Sequence, residues 1–497
     1  SGIAPGLYLL NPEVPGYVTD PSLTGKKAYK AGDIASIRLS KGGVITGQIT
    51  DNLGQPLIGA QIIAQRLRDG KGGRVWERSI WQRNSETDDQ GVYRVYGLPS
   101  GNYVIGTIPA SVDGFSRMER LTPSPVYYPS GTRSAAKEVS VQVGDEISGI
   151  NIRFQDNPGH TISGTISGTA KTAQPGDDTG VLLFDAETKE IVSAAQVDST
   201  NNFVFFAVPD GEYELFARIG GAGSQESYGS PAQQVTIKGS DVTSIDLRMI
   251  KYGSVAGRVI IEPALPGESK CVPTSQSSVE EILLTPKSNL RNPRSINSLT
   301  SASSDWQFSI QPNAKGEFAL PSLEPDEYRL EANLPNENWF VRSMTLPASG
   351  AAKTKTDAAR SPINLKSGEK ISNLEITVAE GAASLSGRVP NKEAKEGGNR
   401  PSRLRVFMIP AEAAAADDVL RYREAVIEKN GSFEFKYLAP GKYRLLARSI
   451  PDTEKNNQRP TAFDSTERIR LRKEAEAANN EIELKPCQRV KDHVLRW

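Results

Sequence analysis

One pattern recurs along this 497-residue chain and limits what it can fold into. An alternating apolar stretch, a corner usually marked by Pro or Gly, and a tyrosine follow one another in Gly91–Tyr103, Asn202–Tyr213, Gly316–Tyr328 and Gly431–Tyr443. The closing tyrosines are separated by 110, 115 and 115 residues. Self-similarity at a fixed period marks repeated structural units, here each the length of a small domain. The units also open alike, with Gly47, Gly164, Gly257 and Gly387 inside the stretches Gly43–Ile49, His160–Ile166, Gly253–Val259 and Ala383–Val389. Alternating apolar residues put one strand face on a core, and a Gly within such a strand marks a bulge or a close backbone approach. A closing strand is expected at Ile150/Ile152, Ile245/Leu247, Leu374/Ile376 and Ile482/Leu484. In three of the four a glycine (Gly144, Gly239 or Gly368) stands six residues ahead.

These signals predict an all-β chain, a tandem array of Ig-like or transthyretin-like β-sandwich domains of about seven short strands each. The 44 Gly and 32 Pro residues sit mainly at the turns between strands. The expected division is residues 1–40 as the C-terminal half of an incomplete module, then sandwiches at 41–156, 157–250, 251–380 (with a long insert around Cys271–Ser304) and 381–497. Tyr103, Tyr213, Tyr328 and Tyr443, with Tyr8 in the incomplete module, are expected to be folding devices: the ring packs and the hydroxyl bonds to backbone. Two alanine-rich stretches, Ala411–Asp418 and Lys473–Ala478, are too short for independent helices and are expected as loops or single turns.

The segment Ile49–Ala64, with Gly54, Pro56, Gly59 and Ala60, followed by Thr87–Tyr103, closely resembles the carboxypeptidase regulatory-like domain. The later repeats match it in part, lacking the Gly-x-Pro-Leu-x-Gly-Ala element. The resemblance implies a transthyretin-like sandwich and an accessory module without catalytic residues. Tandem copies of this kind are similar to those in secreted and outer-membrane-associated bacterial proteins. That implies an extracellular or cell-surface location, or a periplasmic one.

Residues 1–40 read as half of such a module. Ala4–Leu10 mirrors Ala439–Leu445, and Gly32–Leu39 mirrors the run from Gly144 to Ile152. The chain starts at Ser1 without an initiating Met, so a longer gene product is one expectation. A partner supplying strands to the incomplete module is another, because an open sandwich exposes strand edges, and a third is that the half-module packs on the first sandwich as an irregular extension.

Chemistry is thin by comparison. The two histidines, His160 and His493, have no ligand or triad partner at a suitable spacing. The acidic pairs Asp88–Asp89 and Asp177–Asp178 lack the spacing of a calcium loop and read as turn formers. No cofactor or metal is expected. Lys+Arg and Asp+Glu both total 59, which argues against a nucleic-acid-binding surface, and no apolar run is long enough for a transmembrane segment. Trp76 and Trp81, flanking Arg78, are the candidate contacts for a polysaccharide or protein partner. Their spacing of five, however, puts them on opposite strand faces. Cys271 and Cys487 lie in different modules, and either a bridge between neighbouring modules or two separate thiols is open.

The expected function is therefore a non-catalytic structural or assembly protein of the cell surface, a fibre or envelope component. It would associate with itself or with another envelope protein, by strand complementation at residues 1–40. The alternatives are an array binding polysaccharide or protein, and an accessory fragment of a larger enzyme or transporter.

Overall fold

Four times along the chain the same two-layer pairing is built. In the computed structural model the described residues are 7–10, 12–19, 28–30, 33–69, 86–108, 125–155, 159–168, 179–186, 191–219, 227–263, 271, 277–288, 309–347, 355–390, 404–427, 431–449 and 464–495. They fall into two units, divided at Tyr252/Gly253, each holding two sandwiches.

The opening strands are Gly43–Thr50, His160–Ser167, Gly253–Glu262 and Ala383–Arg388. Each pairs antiparallel with the strand leading into the tyrosine corner: Val92–Leu98, Asn202–Val208, Glu317–Leu323 or Ser432–Leu438. On its other side it pairs parallel with the strand that ends the sandwich: Ile152–Arg153, Val242–Arg248, Lys370–Glu380 or Arg489–Val494. The facing sheet centres on the tyrosine strands Gly101–Ile108, Gly211–Ile219, Asp326–Asn333 and Gly441–Ser449. The side chains that point between the layers form one apolar core per sandwich, for example Ile45, Ile62, Tyr93 and Ile105 in the first. The chain is a tandem array of β-sandwiches.

The repeated opening glycine follows from this pairing. A Cβ on Gly47, Gly164, Gly257 or Gly387 would stand 2.0–2.2 Å from the carbonyl oxygen of Ile150, Ile245, Leu374 or His493 on the parallel neighbour. No larger residue fits without moving backbone.

The tyrosine corner recurs with one geometry. The hydroxyls of Tyr103, Tyr213, Tyr328 and Tyr443 donate to the carbonyls of Pro99, Pro209, Glu324 and Ala439, each four residues back, at 2.6–2.9 Å. Burial raises the phenol pKa of Tyr213, Tyr328 and Tyr443, keeping these hydroxyls protonated as donors. Replacing Tyr103 by Phe strands the Pro99 carbonyl under a ring that is itself fully buried. A loss of about 1–2 kcal/mol is expected in denaturant unfolding of the first sandwich, with an unchanged slope.

Two sequence expectations are corrected. Ile482/Leu484 are not the closing strand of the fourth sandwich: Glu481–Leu484 pairs with the tyrosine strand, as Val139–Val141 does in the first. The closing strand is Arg489–Val494, further along. Lys473–Ala478 is not a single turn but the end of a 14-residue helix, α1 (Ser465–Ala478). Asp464 caps it by accepting from the Thr466 and Glu467 amides, and Asn479 ends it in the left-handed region. Its apolar stripe is only Leu471 and Ala475, one turn apart, packed on Phe407, Ile409 and Tyr422. So narrow a stripe in a charged segment gives little periodic signal. Ala411–Asp418 does contain a single helical turn, Ala413–Ala415.

In the N-terminal segment, Leu7–Leu9 pairs with Ala28–Lys30, with Tyr8 opposite Tyr29, and Tyr17–Thr19 pairs with Leu39–Lys41. Residues 33–38 lie in no strand, and Ile34 is 94% exposed.

Candidate functional site: a disulfide-clamped joint

The closing half of every sandwich carries two left-handed residues five positions apart: Gly144 and Gly149, Gly239 and Ser244, Gly368 and Asn373, Cys487 and Asp492. The first of each pair sits in the turn before the closing strand. In three sandwiches that turn has one hydrogen-bond pattern. The Asp145, Glu369 and Gln488 amides donate to the carbonyls of Gln142, Lys366 and Lys485, while their side-chain oxygens accept from the amides of those same residues. Cys487 therefore occupies, at φ 62°, a position that the other sandwiches give to glycine. A β-carbon in this region costs about 1–2 kcal/mol.

Cys487 is there as half of a disulfide. It bridges to Cys271, 216 positions earlier, with the Cα atoms 5.1 Å apart. Cys271 follows the third sandwich's opening strand and Cys487 precedes the fourth's closing strand, so the bond links two sandwiches. Of the two readings left open by the sequence, the bridge is the one found.

Around the disulfide the same joint is fastened non-covalently. The Arg489 guanidinium donates to the carbonyls of Ala382 (2.7 Å) and Glu337 (3.0 Å) and to the Asn338 side-chain oxygen (2.5 Å). Asn338 in turn accepts from the Gly381 and Ala382 amides through its own carbonyl. The Lys436 ammonium lies 3.0 Å from Glu337, and that hydrogen bond raises the lysine's pKa. Phe340, Ala379, Ala382 and Ala439 form a small apolar cluster across the connection, and Tyr437 packs on the third sandwich's core. Trp339, 4% exposed, belongs to that core.

The fourth sandwich also has a half-buried arginine. Arg421 lies over the Tyr443 ring at 5.0 Å, contacts its hydroxyl at 3.3 Å and pairs with Glu412 at 2.9 Å. Arg421 thereby takes up space beside Gly441, where a Cβ would meet the guanidinium. These contacts serve packing. On the parallel face, burial lowers the pKa of His493 from the ordinary 6.5. An unfolded chain takes up that proton below pH 6.5, where the folded sandwich still resists it, so stability is full above 6.5 and falls as pH drops through the folded value. The fourth sandwich's denaturation midpoint is expected to be lower at pH 5 than at pH 7.5. Mutation of His493→Gln should reduce that difference.

Trp76, Arg78 and Trp81 lie outside the described residues, as does the pair Asp177–Asp178. The Asp88 carboxylate accepts from the Gln90 and Val92 amides, forming a hairpin turn. Among the described residues no group of three or more His, Cys, Asp or Glu is placed to hold a metal ion. No described helix is long and apolar enough to cross a membrane. His160 sits between Asp210 (3.2 Å) and Asp241 (3.7 Å) at one end of the second sandwich. Those carboxylates also accept the Gly239 and Thr161 amides, so the cluster ties turns together.

Sequence reasoning missed Cys487 as a turn residue, together with Arg489 and the Glu337–Lys436 pair. A signal for the first was present: Cys487 stands six residues before His493, as Gly144 stands six before Ile150.

No family model matches the chain, and no curated protein matches it in sequence. Among solved structures it is similar to the TIE protein of Bacillus anthracis, at 10% identity over 100% of this chain and 75% of that one, with a TM-score of 0.16. It is also similar to GBS52, a minor pilin of Streptococcus agalactiae, at 12% identity over 48% of this chain and 100% of that one, TM-score 0.24. A streptococcal ancillary pilin matches at 10% identity over 67% of this chain and 99% of that one, TM-score 0.21. At these TM-scores none of the three carries an argument about what this chain does.

Proposed function

We propose that this chain is a non-catalytic structural element of a secreted or cell-surface protein, a tandem array of carboxypeptidase regulatory-like sandwiches divided at 41–156, 157–250, 251–380 and 381–497, with a half-module at 1–40. The observation that carries this reading is the clamped joint: a disulfide persists in oxidising compartments, and here it joins one repeat to the next instead of shaping a pocket. Repetition of one fold with its polar groups spent on corners, turns and a joint supports mechanical continuity as the purpose.

Self-association at residues 1–40 belongs to the same proposal. In complete sandwiches the segment after the left-handed turn lies against an opening strand; residues 33–38 are in no strand, and Ile34 is exposed. A second copy supplying a strand would cover it.

Two measurements test the proposal. Thiol labelling of the protein as isolated from its source cells, with and without reductant, should find Cys271 and Cys487 blocked until reduced, and protease added to intact cells should cut the chain. Free thiols together with protection from protease would overturn a surface location. Light scattering on the full chain should give an oligomer that dissociates when Ile34→Asp is introduced. A monomer of 53.8 kDa would remove self-association from the proposal.

A further inference from the structure

We infer that the Cys271–Cys487 bridge takes residues 272–486 out of the load path, so that the third and fourth sandwiches can extend under tension only by the chain left outside the bridge until the bond is reduced. The inference rests on the structural reading only for the source of the tension; the covalent geometry stands without it.

The argument is one of connectivity. Without the bridge, tension between Gly253 and Leu495 is carried by 243 residues in series. With it, the covalent route is Gly253–Cys271, the two sulfur atoms, then Cys487–Leu495, which is 28 residues. At about 3.5 Å per extended residue, the limit of extension falls from about 850 Å to about 100 Å.

The positions of the cysteines make this shortcut efficient. Cys271 comes nine residues after the opening strand Gly253–Glu262, and Cys487 two residues before the closing strand Arg489–Val494. Nearly everything in both sandwiches is therefore enclosed by the bond. The two strands that remain on the route lie in parallel ladders. Gly253–Glu262 lies along Lys370–Glu380 from Ser254 opposite Lys370 to Glu262 opposite Ala379. Arg489–Val494 lies along Ala383–Arg388 from Arg489 opposite Ser384 to Val494 opposite Arg388. Both partners, Lys370–Glu380 and Ala383–Arg388, lie inside the enclosed loop, so tension runs covalently along Gly253–Glu262 and Arg489–Val494 and does not pull the two strands of a ladder from opposite ends. Cys487 holds a left-handed backbone that glycine holds elsewhere, so the bond has been placed at a backbone cost.

The test is single-molecule extension of the full chain, with handles on both termini, under oxidising conditions and again after dithiothreitol. In the exchange the reductant's two thiols become its disulfide, and Cys271 and Cys487 each gain a hydrogen. The oxidised chain should reach a final contour length shorter by about 750 Å than the reduced chain, the length of the 215 enclosed residues. Unfolding of the first two sandwiches should be visible in both states. The Cys271→Ser/Cys487→Gly variant should reach the longer length without reductant. An oxidised chain that extends to the same length as the reduced one overturns the inference. That result would leave the surface reading untouched, because thiol labelling and protease access address it separately.

Discussion

Replacing Gly164 by alanine is expected to cost the second sandwich about 3 kcal/mol, toward the upper end for an added methyl in a packed site. The new Cβ would stand 2.2 Å from the Ile245 carbonyl oxygen and 2.8 Å from the Phe203 ring. The ring can tilt, but the carbonyl is held in a ladder between the opening and closing strands and cannot move without breaking it. Gly180, on the facing sheet of the same sandwich, is the control: its nearest atom would be 3.7 Å away, an ordinary contact. There alanine should be neutral or stabilising by about 0.5–1 kcal/mol, since a strand glycine pays more backbone entropy. Hydrogen exchange on peptides from 160–167 and 202–208 reads both. Gly164→Ala should lose about a hundredfold protection, a factor of ten for each 1.4 kcal/mol. If the two variants behave alike, the glycine is not required by the close approach.

Loss of the disulfide should have the largest effect on the second unit. Its closed loop spans 216 positions, for which chain entropy alone gives about 5 kcal/mol, an upper value if unfolded chains retain structure. The replacements at position 487 should not be equivalent. In Cys271→Ser/Cys487→Ser the left-handed turn keeps its steric cost without the bond. In Cys271→Ser/Cys487→Gly the turn regains the residue used in the other three sandwiches. The glycine variant is expected to be the more stable by about 1 kcal/mol. Urea unfolding followed through Trp339, buried in the third sandwich, can compare them. Equal midpoints would mean that the turn relaxes once the bond is gone. The joint's polar fastening should keep both sandwiches folded in either variant, because Arg489 still bridges to Glu337, Asn338 and Ala382.

The repeat was readable because it is local. Strand alternation, the opening glycine and the corner tyrosine each depend on a few consecutive residues, and the all-β array follows from them. The fourth closing strand was misplaced because Ile482/Leu484 alternate as well as the true strand does. In Arg489–Val494 the apolar residues Val490 and Val494 are separated by charge. Counting from the turn instead of from the apolar pair would have placed it, but only with Cys487 accepted as a stand-in for glycine. Lys473–Ala478 reads as a loop or single turn for a related reason: the buried face of helix α1 is two residues, and its length is set by Asp464 and Asn479 at its ends.

The sequence by itself determined the class of fold, since periodicity and turn chemistry are written in neighbouring residues. Only the tertiary structure decided the joint. Glu337, Asn338, Ala382, Lys436 and Arg489 come together because two completed sandwiches present their ends to one another, and the two cysteines, 216 positions apart, meet for the same reason. Contacts made by whole folded units leave no period in the chain, so this part of the molecule was legible only once those units had been placed.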